Sequence, residues 1–100
     1  MPNPPPNMLD YDETYRDHRL EVPEFFNFGF DVVDRWAEDR TKLALISLDP
    51  TGQQARHHTF WDLMVLSNRF ANVLKSLGVG KGTRAFVMLP RIPQWYVAML

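Results

Sequence analysis

The residues of this chain that could do chemistry are three histidines, a glycine cluster with a lysine, two carboxylate pairs, three serines and one arginine after an apolar run. His57 and His58 are neighbours in Gln53 to Thr59, a stretch that reads as the exposed return strand of a hairpin. Successive strand residues point to opposite faces, so the two imidazoles are badly placed to grip one metal ion. His18 is the third histidine and there is no cysteine, so no metal centre is expected. Gly78-Val79-Gly80-Lys81-Gly82 has the look of a phosphate cradle. A phosphate loop, however, runs from a strand into a helix N-terminus, whereas this cluster leaves a helix C-terminus, whose dipole repels anions. A turn is the better reading. Asp10/Asp12 and Glu38/Asp39 fall on polar faces, and nothing in their spacing sets them across a cleft. Ser47, Ser67 and Ser76 lack the strand-to-helix turn that activates a serine nucleophile. Arg91 follows an apolar run, at the end of a strand where open α/β sheets gather ligands, although a surface ion pair explains it as well. From these residues we assign no catalytic, cofactor-binding or metal site.

The elements that would position them follow from pattern. Thr59 is a good N-cap, with Asp62 three residues on to complete a capping box. Leu63, Leu66, Phe70, Leu74 and Leu77 recur every three or four residues, which predicts one apolar helix face. Gly78 is placed for the left-handed helix stop, with Val79 folding back on Leu74. Gly80 to Gly82 then turn the chain into Ala85-Phe86-Val87-Met88-Leu89, an unbroken apolar run that predicts a strand buried on both faces, the habit of parallel sheets between helices. Pro93 suits the first turn of a further helix through Trp95 and Met99. The fold class expected is α/β.

Upstream, Met1 to Asn7 holds four prolines and two asparagines and predicts a mobile tail. Tyr11 and Tyr15 share a face if Leu9 to Leu20 is helical, so residues 1–21 read as tail plus a short polar helix. Phe25, Phe26, Phe28 and Phe30 crowd around Gly29. A packed core corner is expected of them, in preference to a ligand pocket. Asn27 and Asp31 can cap a helix carrying Val33, Trp36 and Ala37. Leu43 to Leu48 predicts a strand, and Asp49-Pro50-Thr51-Gly52 holds the residues a type I turn wants.

The totals narrow the class. One hundred residues make one domain at most, and a chain of that length buries roughly two thirds or less of its unfolded surface. With 11 basic and 12 acidic residues there is no long-range attraction for nucleic acid or an anionic membrane. No apolar stretch approaches the roughly 18 residues that span a bilayer. A cytoplasmic protein is the default expectation.

Several blocks together resemble the opening of the AMP-forming acyl-CoA synthetases, their medium-chain branch best. They are Phe25-Phe26-Asn27, Phe28-Gly29-Phe30-Asp31-Val32-Val33-Asp34-Arg35-Trp36-Ala37, Thr59-Phe60, Ser67 to Leu74, Leu77 to Arg84 and Met88 to Trp95. Thr83 departs from the pattern, where the family usually carries aspartate. The resemblance spans residues 22–100 and implies an incomplete N-terminal subdomain of an adenylate-forming ligase. For the whole enzyme it implies activation of a medium-chain fatty acid by ATP with magnesium, then acyl transfer to CoA. The phosphate loop, the adenylate-binding acids and the catalytic lysine of that family lie further along the chain than Leu100. No site residue is therefore carried over, and this chain is expected to bind no cofactor. The helix from Pro93 breaks off in mid-pattern, which reads as a cut. The rival expectation is a stand-alone interaction module that docks a partner through its apolar strand and last helix.

Overall fold

The computed structural model describes residues 8–100, so the tail expected over residues 1–7 lies outside the described residues. The order is α1 (Tyr11–Asp17), a π-helical turn (Gly29–Val33) running into α2 (Asp34–Trp36), β1 (Leu43–Leu48), β2 (Ala55–Thr59), α3 (Phe60–Ser76) and α4 (Pro93–Met99). This is a small α/β arrangement in which β1 and β2 form one antiparallel hairpin.

Helix α1, the π-helical turn and α3 start beside a capping side chain, whereas α4 opens at Ile92 without one and carries Pro93 in its first turn. Asp10 accepts from the Glu13 amide at 2.9 Å to open α1, and Tyr11 stacks on Tyr15 one turn later, ring centres 6.0 Å apart. Asn27 and Asp31 cap reciprocally. Asn27 Oδ1 accepts from the Phe30 amide and Asp31 Oδ2 accepts from the Asn27 amide. The helical turn therefore begins ahead of Asp31, and it is π-wound, with the Asp34 amide donating to the Gly29 carbonyl. Gly29 is needed there, since a Cβ would sit 3.2 Å from both Asn27 Oδ1 and the Leu100 carbonyl.

In the hairpin turn the Gly52 amide donates to the Asp49 carbonyl at 2.9 Å, as the turn residues predict. Asp49 also accepts from the Thr51 hydroxyl and the Gln54 amide. Register runs Leu48↔Ala55 to Leu45↔His58 and then slips, because Leu43 pairs with Thr59 and Ala44 is extra. That bulge bends β1 at its start, where the chain arrives from α2.

Thr59 is at once the last residue of β2 and the N-cap of α3. Its hydroxyl accepts from the Asp62 amide at 3.1 Å, and Asp62 Oδ2 accepts from the Thr59 amide at 2.9 Å. At the other end Gly78 has φ +81, the Gly78 amide donates to the Lys75 carbonyl and the Val79 amide to the Leu74 carbonyl. This is the two-bond glycine stop expected of the sequence.

Helix α4 packs on α3, and the fully buried side chains lie where α3 meets the π-helical turn and the end of α2. Val33 and Ala37 meet Leu63 there and are the buried core. Lys42 lies over the Trp36 ring at 4.2 Å and Arg40 over the Trp61 ring at 4.0 Å, so two cation–π contacts tie the loop after α2 to the aromatics around it. Of the α3 stripe, Leu63 is buried and Phe70 and Leu74 are partly covered, while Leu66 and Leu77 stay exposed.

Two expectations are corrected. Residues 85–89 form no strand and are not buried. Strand geometry needs a hydrogen-bonded neighbour, and β1 and β2 pair with each other alone. The aromatic group is not a core corner either, since Phe25, Phe26, Phe28 and Phe30 are all exposed. Gly29 does bring two backbones close, but no apolar layer lies over the rings.

Thr59→Ala removes one half of the capping box and costs about 1 kcal/mol, roughly fivefold in a local opening equilibrium. Amide hydrogen exchange in the first turn of α3 is expected to rise by that factor. The turn closed by Gly78 is expected to keep its rate.

Candidate functional site

The hairpin separates its two histidines as strand geometry requires. His57 pairs with Ile46 and is exposed, and His58 pairs with Leu45 and is partly covered. His58 Nε2 is buried without a hydrogen-bond partner. No group of three metal-ligating side chains converges among the described residues.

The glycine cluster is a turn, and three of its five backbone amides are already committed. The amides of Gly78 and Val79 close α3, the Gly80 amide donates to Thr83 Oγ1 at 3.1 Å, and the Thr83 amide donates to the Gly80 carbonyl at 3.0 Å. A phosphate cradle needs free amides converging on one point. Thr83 supplies with its hydroxyl the acceptor that an aspartate would offer with a carboxylate, so the departure from the family pattern leaves the turn bonded.

The other candidates are caps and helix back-bonds. Asp10 opens α1, and Asp39 accepts from the Thr41 amide and hydroxyl. The Thr41 hydroxyl, then its amide, hold the Asp39 carboxyl below its ordinary range. Asp49 is lowered in the same way by the Thr51 hydroxyl and then the Gln54 amide. The hydroxyls of Ser67 and Ser76 donate to the carbonyls of Met64 and Val73. Neither faces a base that would activate it.

Arg91 does border a cavity. An open groove of about 490 Å³ lies between β1 and the start of α4, lined by Leu45, Ile46, Leu89, Ile92 and Trp95 beside Arg91. The lining brings no carboxylate to the guanidinium, so the expected ion pair is not made there. The groove does bring the candidate Ser47 to the same lining as Arg91, with the Tyr96 hydroxyl, and no acid or imidazole lies among them. The sequence reading missed the Arg40–Trp61 and Lys42–Trp36 contacts, whose partners meet across chain turns that no helical or strand period encodes.

The family model for AMP-binding enzymes matches residues 32–100, and the chain belongs to that family. It is 35% identical over 101 residues to the Mus musculus protein named acyl-coenzyme A synthetase ACSM3, mitochondrial, covering 94% of this chain and 17% of that relative. The Homo sapiens protein of the same name is 34% identical over 102 residues with the same coverage. Acetyl-coenzyme A synthetase of Methanothrix soehngenii is 43% identical over 77 residues, which cover 74% of this chain and 12% of the relative. The chain thus spans 17% of the length of the ACSM3 relatives. No solved structure matches it.

The ionisable group on which the α3 start depends is Asp62. Its carboxyl is held below the ordinary 3.8 by the Thr59 amide and then the Thr59 hydroxyl, with burial opposing them and the nearby His58 helping slightly. A carboxyl lowered on folding gives stability that is complete above its unfolded value and lost as pH falls through its folded one. The first turn of α3 is therefore expected to fray on the acid side of 3.8. In Asp62→Asn that acid step disappears from the amide spectra.

Proposed function

We propose that this chain is the N-terminal portion of a medium-chain-type acyl-CoA synthetase. The whole enzyme would join a carboxylic acid to CoA at the expense of ATP, through an acyl-adenylate, releasing AMP and pyrophosphate. The observation that carries this reading is the match of 94% of this chain to 17% of the ACSM3 relatives. The small three-residue core agrees with it. We divide the chain accordingly into residues 1–21, a tail and short helix, and residues 22–100, part of the AMP-binding domain.

We assign ATP, magnesium and CoA to the rest of such an enzyme. The role of 1–100 is scaffold. No helix among the described residues is long and apolar enough to cross a membrane. A cytoplasmic location is the default reading, while the mouse and human relatives are named as mitochondrial; cell fractionation of the tagged protein assigns it.

Purified 1–100 is expected to release no pyrophosphate from ATP when given medium-chain acids and CoA. A covalent fusion, in which 1–100 replaces the aligned segment of the mouse relative, is expected to release it in an acid-dependent manner. Activity of 1–100 alone overturns the scaffold role, and an inactive but folded fusion overturns the assignment to this enzyme class.

A further inference from the structure

The hairpin turns its polar face toward the helices. Ser47 and Asp49 are partly covered, while Ile46 and Leu48, which alternate with them, are exposed. On the facing strand Arg56 is registered with Ser47 and His58 with Leu45. Strand alternation therefore puts Ser47, Asp49, Arg56 and His58 on one face. That face looks across a cavity of about 390 Å³ at Leu66 of α3 and at Ile92 and Val97 of the α4 segment. Both the volume and the mix of an apolar wall with a few polar groups are those of a small-ligand site.

Two groups in this lining lack a partner from it. The Arg56 guanidinium is a fork of N–H donors with no acceptor of its own. The single carboxylate in the lining, Asp49, is already committed to the hairpin turn. Its Oδ2 accepts from the Thr51 hydroxyl at 2.6 Å and its Oδ1 from the Gln54 amide at 2.9 Å. His58 Nε2 is buried and makes no hydrogen bond. An unpaired buried nitrogen is unfavourable, and a polar ligand that reaches it relieves the penalty.

Charge selects among the ligands. One guanidinium with an acid in the same lining suits a monoanion. A phosphate dianion meets Asp49 with no second guanidinium or ammonium to offset the repulsion. A neutral amphiphile covers Leu66 and Val97 but leaves the Arg56 fork unanswered. A carboxylate answers both polar groups, since its two oxygens match the guanidinium fork and a lone pair remains to accept from an Nε2–H.

We propose that the cavity between the hairpin and helices α3 and α4 binds a small amphipathic monocarboxylate. Its carboxylate lies on Arg56 and His58 Nε2, and its hydrocarbon on Leu66, Ile92 and Val97. The inference stands on this lining and not on the enzyme class proposed above.

Hexanoate is titrated into isotope-labelled 1–100 and followed by NMR at the Arg56 Nε–H and His58 ring resonances. Both are expected to shift together and to saturate, with a dissociation constant of about 1 mM or tighter for a ligand of this size. Arg56→Gln is expected to weaken binding at least about tenfold. Arg56 is exposed, so this variant is expected to keep the circular dichroism of the parent. His58→Phe keeps a ring and removes its nitrogens, and is expected to weaken binding roughly fivefold. His57→Phe, on the opposite face of the strand, is expected to leave binding unchanged. Hexanol supplies the chain without the charge, and inorganic phosphate the charge without the chain. Each is expected to bind at least about tenfold more weakly than hexanoate. Absence of a saturable hexanoate shift overturns the proposal, as does equal binding by Arg56→Gln or by His58→Phe. So does equal binding of hexanol or of phosphate, or a loss in His57→Phe as large as that in His58→Phe.

Discussion

Thr59 belongs to two elements at once, and the geometry of the rest follows from that. As a strand residue it ends the ladder opposite Leu43, and as an N-cap it starts α3 through its reciprocal bonds with Asp62. With no loop between them, the hairpin and the helix have little freedom to swing against one another. The Phe60 amide donates to the Lys42 carbonyl, which anchors the junction to the chain arriving from α2. Leu63, one turn into α3, thereby reaches Val33 and Ala37 to form the core.

Beyond that junction apolar residues outnumber the surfaces able to cover them. The phenylalanines from Phe25 to Phe30, Val73 on α3 and Phe86 to Leu89 are side chains of core type in exposed positions. The radius of gyration, 17.5 Å, points the same way against about 13 Å for a compact chain of this length. Membership of the AMP-binding family, with 17% coverage of the ACSM3 relatives, gives these surfaces a coherent context.

The candidate chemistry resolved into structural roles for one recurring reason. Polar side chains in this chain are consumed locally, by backbone groups two to five residues away, as Asp39, Asp49, Asp62 and Thr83 show. Local partners of this sort are legible from spacing, which is why the capping box, the glycine stop and the turn at Asp49 were all readable in advance. The Arg40–Trp61 and Lys42–Trp36 contacts escaped that reading, because they depend on how the loop after α2 folds over separate elements.

Sequence alone determined where elements begin and stop, since capping, helical periodicity and turn chemistry act within a few residues and need no distant partner. It also carried the family, through an ordered series of short blocks. Only the tertiary structure decided which apolar residues are covered. The run Ala85 to Leu89 has the composition of a buried strand, yet burial is a property of neighbours, and a strand is defined by the backbone lying beside it. Likewise the four phenylalanines around Gly29 state a demand for packing, and whether it is met depends on a layer that residues 8–100 do not place over them.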